Sequence, residues 1–498
     1  METIKILYIN EVDVKIETEQ SIMNEMSDYF KFRIPNFDII RNMHRGRFYK
    51  FDGYIRLYDK RGSKLPFGLL GRLVDFAKER KYRLDIDEKI TNKINDITRD
   101  DLLLWIGSLG LKLQPRDYQI DSLYKAIYSR KKVVVSPTSS GKSLLISLYI
   151  KWIHEHEKGK ILVIVPTKSL VLQLKGDYES YGLKEPIHVI MGGYEKEGNE
   201  RIYISTWQSL YELPKEYFEK FDGVIVDECH GLFVTPDTTK AISKILDNCV
   251  NASYRMGCTG TVHDEQIHHF KIESHLGKIY EPTSTKELMD RGILSKFKIR
   301  TLMIDYPDNI RIELEKLDWS KQQDFMENED NPRQQLIIEL AQNLEMNTLI
   351  LFRKITHGTY IYEQLLANTK KEIFYVDGTV DALDREDIRK AMEKKKGIIL
   401  VASFGTFSAG INIKNLHNVI FASSSKSKIR ILQSIGRSLR LHNEKAVAVL
   451  YDIVDWFGYF KKHYENRLQF YVKEKFKYEE KHVQLAEWSK KKNIDFFN

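Results

Sequence analysis

The chain has 498 residues, of which 42% are hydrophobic, so its size suits about three domains with ordinary cores. It carries 78 Lys and Arg against 70 Asp and Glu, and this mildly basic balance favours a polyanionic partner without identifying one. Cys229, Cys249 and Cys258 lack metal-ligand spacing, and their odd number fits a reducing compartment better than a disulfide framework. The longest apolar run, around residues 102–111, is too short to span a bilayer. The composition therefore predicts a soluble, cytoplasmic protein and disfavours a secreted or membrane-spanning one.

Four zones of different texture follow one another along the chain. Residues 1–95 alternate short strand-like runs with an amphipathic run, and they predict a small α/β domain. In residues 96–285, β-branched runs such as KILVIVP and GVIVDE alternate with helical stretches of roughly ten to fifteen residues, which is typical of βαβ units around a parallel sheet. Residues 286–460 repeat this pattern with runs such as GIILVAS and AVAVLYDI. Residues 461–498 have aromatic residues at helical spacing and predict a short helical C-terminus.

The segment VVVSPTSSGKS, residues 133–143, joins a predicted strand to an apolar helix, which is the setting of a phosphate-binding loop. Small residues let backbone N–H groups surround phosphates, and the helix N-terminus adds positive partial charge. Lys142 would reach the β- and γ-phosphates, and Ser143 would bind Mg²⁺. Because Ser136 replaces the first glycine of the strict motif, a simple turn and helix cap is the alternative. The other loop residues expected around the nucleotide are Pro137, Thr138, Ser139, Ser140 and Gly141.

A second buried strand ends in two adjacent acids, Asp227 and Glu228. Strand-end acids often face solvent, but ligands bind at the carboxyl ends of parallel strands, where these two acids are expected. Asp227 would complete the Mg²⁺ sphere, and Glu228 would orient and deprotonate the attacking water. The strand lies roughly 85 residues after Lys142, and the combination predicts an ATP-hydrolysing site.

Arg437 and Arg440 follow Gln433 in the run QSIGRSLR of the second α/β zone. A spacing of three residues puts both guanidinium groups on one face of a helix. Such a pair suits the charge that develops on a phosphoryl group during transfer. The alternative is an ordinary solvated helix face. Gly436 weighs against that alternative, because glycine costs about 1 kcal/mol in a helix and indicates a close approach.

Nine sequence blocks occur in the order that superfamily 2 helicases have. They are PRDYQ (115–119), PTSSGKS (137–143), VPTKSL (165–170), STWQSL (205–210), DECH (227–230), TGT (259–261), LFRKITHG (351–358), VASFGTFSAGINIKNL (401–416) and QSIGRSLR (433–440). The chain resembles this superfamily over about 115–455. The segments GRFYKFDGYIRLYD and SKSKIRILQSIGRSLR make it most similar to the UvsW-type helicases of T-even bacteriophages. The resemblance implies two tandem RecA-like parallel-sheet domains and an ATP-dependent, Mg²⁺-dependent DNA helicase.

The resemblance implies roles for residues around the nucleotide. Gln119 would recognise the adenine edge with support from Arg116. Gln433, Arg437 and Arg440 would reach the γ-phosphate across a cleft between the two domains. The positions that resemble residues coupling hydrolysis to domain closure are His230, Thr259 and Thr261.

The resemblance also implies contacts to the nucleic acid. The positions concerned are Thr167, Gly192, Thr206, Arg353, Ser403 and Thr406. Helix capping is the alternative for the Ser and Thr residues among them. At the family's Gly-x-Asp segment this chain has Gly410 and Asn412, so the ribose contact of that carboxylate is not expected here.

The segment 31–64 contains ten Lys and Arg against three Asp, with aromatic residues interleaved. Basic groups such as Arg45 and Arg47 would neutralise phosphates, and the aromatic rings could stack on unpaired bases. The alternative is a small aromatic core beneath a solvated basic surface, and both can hold together. The resemblance favours a domain that helps to engage branched or duplex DNA.

By resemblance, cycles of ATP binding and release would move a monomer 3′ to 5′ along one strand. The implied substrates are stalled forks, Holliday junctions and D- or R-loops, including RNA–DNA hybrids, in recombination, repair and replication control. Three other interpretations stay open. An RNA helicase of the DEAD-box type is disfavoured by DECH and TGT, and a restriction-enzyme motor subunit by the lack of a nuclease-like acidic cluster. A non-enzymatic binding module is disfavoured by intact Lys142, Asp227 and Glu228.

Overall fold

The computed structural model of the protein describes residues 2–34, 37–38, 52–92, 96–233, 236–262, 266–408, 413, 415–424 and 447–484. Eight residues singled out in the sequence lie outside this set: Arg45, Arg47, Gly410, Asn412, Gln433, Gly436, Arg437 and Arg440. The chain divides into two compact units, one of residues 1–136 and 141–282, the other of residues 137–140 and 283–498.

The N-terminal part of the first unit is a small α/β fold. Its elements are β1 (Thr3–Tyr8), β2 (Asp13–Glu17), α1 (Gln20–Tyr29), β3 (Lys31–Arg33), β4 (Tyr54–Arg56), β5 (Lys64–Pro66), α2 (Leu70–Arg80), β6 (Arg83–Ile86) and α3 (Glu88–Thr91). One sheet has the order β5-β2-β1-β6, and β3 pairs with β4 in a separate antiparallel ribbon. Apolar residues alternate along β1 and β2, and they share one core with buried residues of α1 and α2.

The rest of the first unit is built on a parallel sheet. Its elements are α4 (Arg99–Ser108), α5 (Asp117–Ser129), β7 (Lys131–Val135), α6 (Lys142–His156), β8 (Lys160–Val165), α7 (Lys168–Ser180), β9 (Ile187–Ile190), β10 (Ile202–Thr206), α8 (Lys215–Phe218), β11 (Phe221–Asp227), α9 (Pro236–Asn248), β12 (Tyr254–Thr259), α10 (Gln266–Leu276) and β13 (Ile279–Tyr280). The strand order is β13-β7-β12-β11-β8-β10-β9, and every pair is parallel. Successive strand residues enter two different cores, one on each face, which explains the continuous apolar runs.

The two folds of the first unit are joined by buried contacts. Phe270 of α10 belongs to the core of the N-terminal fold. Arg72 of α2 forms an ion pair with the buried carboxylate of Glu273 on α10. Lys131, the first residue of β7, forms a second buried ion pair with Glu11. The N-terminal fold is therefore fixed to the parallel sheet within one compact body.

The second unit contains the other parallel sheet. Its elements are α11 (Thr285–Asp290), β14 (Lys296–Asp305), α12 (Asp308–Glu315), α13 (Trp319–Glu327), α14 (Pro332–Asn343), β15 (Thr348–Phe352), α15 (Ile355–Asn368), β16 (Ile373–Val376), α16 (Ala382–Lys394), β17 (Ile399–Ser403), α17 (Phe404–Ser408), β18 (Asn418–Phe421), β19 (Val447–Asp455), α18 (Gly458–Lys473) and β20 (Lys477–Gln484). The order is β16-β17-β15-β18-β19-β14-β20, again with parallel pairs throughout. The predicted fold class, α/β with two tandem parallel-sheet domains and a small N-terminal α/β domain, is confirmed.

The predicted helical tail is correct for α18 and wrong for β20. The run KYEEKHVQ, residues 477–484, forms a strand that pairs in parallel with β14 along its whole length. Backbone pairing with a long neighbouring strand outweighs the weak strand propensity of these charged residues. Within the described residues, no helix is both long enough and apolar enough to cross a membrane.

Candidate active site

The loop between β7 and α6 adopts backbone angles that favour small residues. Ser139 has φ +69° and Gly141 has φ +90°. Gly141 directly precedes α6, which begins at Lys142. A Cβ atom at Gly141 would lie 2.5 Å from the movable Nε2 atom of Gln119, and it is the positive φ of Gly141 that favours glycine here. The strand, loop and helix predicted from the sequence are therefore present, and two loop residues have positive φ.

Lys142 and Ser136 meet at the end of β7. The Lys142 ammonium group donates a hydrogen bond to the Ser136 carbonyl oxygen at 3.3 Å. The Ser136 N–H donates to the Thr259 carbonyl oxygen at 2.9 Å, which extends the pairing of β7 with β12 by one residue. The serine in place of the motif's first glycine thus continues the strand, and its carbonyl group positions the lysine.

Two adjacent carboxylates lie at the end of β11, which is separated from β7 only by β12. Glu228 has φ +48°, which is uncommon for a residue with a side chain and turns the chain sharply after Asp227. The Glu228 N–H donates to Oδ1 of Asp227 at 2.9 Å. Burial and the negative charge of Glu228 raise the pKa of Asp227 to about 7, and Lys142 acts in the opposite direction.

Ser143 and Asp227 are the residues that the sequence assigns to a magnesium ion. A hydroxyl and a carboxylate are ligands that this hard cation prefers. The pKa of Asp227 is raised, so the positive charge of Lys142 only partly offsets the cost of ionising this carboxylate. A bound divalent cation would therefore stabilise the ionised carboxylate.

His230 connects the carboxylates to β12. Its Nδ1 atom lies 2.5 Å from Oγ1 of Thr259 and 3.3 Å from Oε2 of Glu228. The Thr259 hydroxyl donates to the Thr261 carbonyl oxygen at 2.8 Å. The three residues predicted to couple hydrolysis to movement therefore form one continuous chain of contacts with the predicted general base.

Gln119 is a buried residue of α5 that contacts the predicted phosphate-binding loop. Its Nε2 atom donates to the Gly141 carbonyl oxygen at 2.9 Å, and its Oε1 atom accepts from the Arg116 N–H at 2.8 Å. The sequence indicated an adenine contact for Gln119 and missed this support of the loop backbone. It also missed the ion pair of Arg72 with Glu273, because 201 positions separate the two residues.

The predicted nucleic-acid contacts of the first unit follow three neighbouring strands. Thr167 comes after β8, Gly192 after β9, and Thr206 ends β10. Thr167 caps α7 through its hydroxyl, which accepts from the Leu170 N–H at 3.4 Å. Thr206 is buried, and its hydroxyl lies 3.2 Å from the hydroxyl of Ser209. These residues share the sheet edge of the phosphate loop, but Thr167 also fulfils the capping alternative.

In the second unit, Arg353 follows β15 and Ser403 ends β17. The guanidinium group of Arg353 is exposed and lies 5.9 Å from the centroid of the Trp319 ring. The Ser403 hydroxyl accepts from the Thr406 N–H at 3.2 Å and donates to the Thr406 hydroxyl at 2.8 Å. Ser403 and Thr406 are thus partly occupied by local capping, whereas Arg353 projects from the carboxyl edge of its sheet.

Three family descriptions match different parts of the chain. Residues 3–87 match the N-terminal domain of the DNA helicase UvsW. Residues 112–264 match the res subunit of type III restriction enzymes, and residues 332–442 match the helicase conserved C-terminal domain.

Individual proteins that are similar to this chain are also helicases or translocases. The ATP-dependent DNA helicase uvsW of Enterobacteria phage T4 is 33% identical over 512 residues, which cover 97% of this chain and 100% of the relative. The crystal structure of T4 UvsW matches with a TM-score of 0.51 and 31% identity, covering 97% of this chain and 100% of that one. The DNA 3′-5′ translocase XPB2 of Sulfurisphaera tokodaii is 24% identical, covering 74% of this chain and 87% of the relative.

Proposed function

The chain belongs to the UvsW family of ATP-dependent DNA helicases, and we propose that it uses Mg·ATP hydrolysis to move 3′ to 5′ and remodel branched DNA. The reactions concerned are fork regression, branch migration of Holliday junctions and unwinding of D- and R-loops. The name of the phage T4 relative supports DNA as the substrate, and that of XPB2 supports the polarity. The branched substrates rest on the resemblance of the N-terminal segment and its basic composition.

The observation that carries the proposal is the arrangement of Lys142, Asp227 and Glu228 at one sheet edge. These residues follow or end β7 and β11, which are parallel to the β12 strand between them. Ligands of open α/β sheets bind at this edge, outside the carboxyl ends of the strands. Phosphates, a magnesium ion and an attacking water can therefore be held by groups that are already gathered.

Each of these groups would do one part of the chemistry. Lys142 would exchange its hydrogen bond with Ser136 for the β- and γ-phosphates. Ser143 and Asp227 would hold Mg²⁺, which when bound neutralises charge on the phosphate oxygens. Glu228 would accept the proton of the attacking water, and His230 would keep its carboxylate oriented.

Arg437 and Arg440 would add positive charge at the γ-phosphate and Gln433 a neutral hydrogen-bonding amide, as the sequence predicts. These residues lie outside the described part of the chain. The chain of contacts from Glu228 through His230 to Thr259 and Thr261 offers a route by which the phosphate site and the edge of β12 respond together.

The test measures ATP hydrolysis in the presence of forked DNA, a Holliday junction, linear duplex, single-stranded DNA and RNA. We expect branched DNA to stimulate most and RNA least. Stimulation by RNA above every DNA would favour the RNA-helicase interpretation instead. Stimulation by linear duplex equal to that by forks would remove the preference for branched DNA.

The assignment of the general base is tested with Glu228→Gln in the same assay. A positioned general base contributes about 10²- to 10⁴-fold, so we expect at least a 100-fold loss of hydrolysis with Mg·ATP binding retained. Glu212→Gln, which changes an exposed carboxylate of the same unit, serves as the control and should hydrolyse ATP normally. Equal hydrolysis by wild type and Glu228→Gln would show that the base lies elsewhere.

A further inference from the structure

A pocket of about 460 Å³ lies where the N-terminal fold meets α10 of the same unit. The β3–β4 ribbon provides one side, since Lys31 and Arg33 lie on one face of β3 and Tyr54 pairs opposite Arg33. Arg72 of α2 and Gln266 of α10 provide the other side. Pockets of this volume hold small ligands, a class that includes single nucleotides.

The inner end of the pocket is aromatic. Phe32 and Phe270 are buried, and their rings stack with centroids 6.3 Å apart and an interplanar angle of 25°. The guanidinium group of Arg72 lies 4.7 Å from the Phe270 centroid. Tyr54 is only partly buried, and the Lys31 ammonium group lies 5.0 Å from its ring centroid. The pocket thus offers apolar and π surfaces beside cations.

The charge of the lining is positive. Three cationic side chains line the pocket, and Asp28 is the carboxylate among the lining residues. The ion pairs of Lys31 with Asp28 and of Arg33 with Asp38 are at least partly exposed, so they contribute little and a phosphate can compete for the cations. Arg72 is held in place by the buried Glu273 carboxylate. Cations at the rim and aromatic rings inside suit a phosphate joined to a planar base.

We propose that this pocket binds one unpaired nucleotide of a DNA strand, with the base against Tyr54 and the phosphate on Lys31 and Arg33. The proposal rests on the proposed function, because it assumes that the substrate is DNA with unpaired bases. α10 follows Thr259 and Thr261 along the chain, so the occupant would contact the helix that leads away from the ATP site. Binding of an unpaired base at a branch would thereby change the contacts of α10 in the first unit.

The test measures equilibrium binding without ATP to two forks that differ only in one flap, which carries normal nucleotides or abasic sites. Stacking on one aromatic side chain corresponds to about tenfold in affinity, so wild type should prefer the normal flap by about that factor. Tyr54→Ala and Gln266→Ala, one from each side of the pocket, should reduce the preference below about twofold. Tyr54→Phe should keep it and shows that the fold tolerates a change at this position.

Arg61→Ala is the matched control, since it removes an exposed cation of the N-terminal fold that does not line the pocket. It should weaken binding to both flaps equally. Equal binding of wild type to both flaps would overturn the proposal, as would a preference that survives Tyr54→Ala. Because ATP is absent, these results are independent of hydrolysis. A failure of the proposed function would show instead as absent DNA-stimulated hydrolysis by the wild type.

Discussion

His357 is a buried imidazole of the second unit whose charge state should control local stability. Its Nε2 atom lies 2.8 Å from Oε1 of Gln334, and its Nδ1 atom lies 3.3 Å from the Ser423 hydroxyl. Burial, with smaller effects of Arg333 and Lys354, lowers its pKa to about 3. Above pH 6.5 the imidazole is neutral in both folded and unfolded chains, so stability is then fully present. As the pH falls from 6.5 towards 3, the unfolded chain binds the proton first and stability is lost.

We therefore expect the free energy of unfolding of the second unit to fall by about 2 kcal/mol between pH 6.5 and 5 because of this one residue. Hydrogen exchange of the β15 and α15 amides over this pH range measures the change. The variant His357→Gln keeps a polar group at the site but cannot titrate, so its stability should depend less on pH. The same pH dependence in both proteins would contradict the prediction.

At the scale of residues, the sequence predicted the residues that carry the chemistry better than the contacts that hold them in place. Lys142, Asp227 and Glu228 could be picked out because their types and spacing follow from phosphate chemistry. The contact of Gln119 with the Gly141 carbonyl group could not be foreseen, since it depends on how α5 packs against the loop. The left-handed conformation of Glu228 could not be predicted either, because glutamate has no preference for positive φ.

The turn of residues 67–69 packs tightly against the backbone of α10. A Cβ atom at Gly68 would overlap the carbonyl oxygen atoms of Glu273 and Ser274, which belong to the backbone of α10. We expect Gly68→Ala to lower the free energy of unfolding of the first unit by about 1–3 kcal/mol, the usual range for overpacking. Equilibrium unfolding in denaturant measures this loss of stability.

Gly71→Ala, one helical turn later, is the matched control for this prediction. A Cβ atom there would lie 3.4 Å from a flexible part of the Lys278 side chain, which can move. Alanine in α2 should then leave stability unchanged or raise it by up to about 1 kcal/mol. Equal effects of the two substitutions would show that the backbone contact of Gly68 is unimportant.

At the scale of elements, the parallel strands were predictable because both faces of each sheet are covered, which produces continuous β-branched runs. β20 was not predictable in the same way. Its residues Lys477–Gln484 alternate between exposed and partly exposed positions, so no apolar run marks them as a strand. Its pairing with β14 is a long-range contact that charge and propensity do not encode.

The ion pair of Glu11 with Lys131 ties the N-terminal fold to the strand that leads into the phosphate loop. Both side chains are buried, at 2% and 8% exposure. Removing one partner leaves an uncompensated buried charge, so Glu11→Gln should cost about 3–5 kcal/mol. The double variant Glu11→Gln with Lys131→Met should recover most of that loss, since it removes both charges.

Thermal unfolding of the wild type, Glu11→Gln, Lys131→Met and the double variant completes a double-mutant cycle and measures the coupling. Glu17→Gln, which breaks the exposed pair of Glu17 with Lys15, is the control and should change stability little. If the double variant were less stable than Glu11→Gln by the full additive amount, the pair would not couple the two folds.

At the scale of the whole molecule, the sequence predicted the successive folds but not how the N-terminal fold packs against the first parallel sheet. The change of texture near residue 95 predicted an N-terminal domain, and the structure shows this fold packed with the first parallel sheet in one compact unit. The contacts responsible join residues far apart in the chain, such as Arg72 and Glu273. Spacing rules detect motifs within a segment, and they cannot detect docking between segments.

The pairing of β20 with β14 has a consequence for association between molecules. β14 is ten residues long, and without β20 its N–H and C=O groups would form an open template for a strand of another chain. β20 is the outermost described strand on that side and carries exposed charged residues such as Lys477 and Glu480. Shortening the protein before residue 477 would therefore invite edge-to-edge aggregation, even though no catalytic residue is lost.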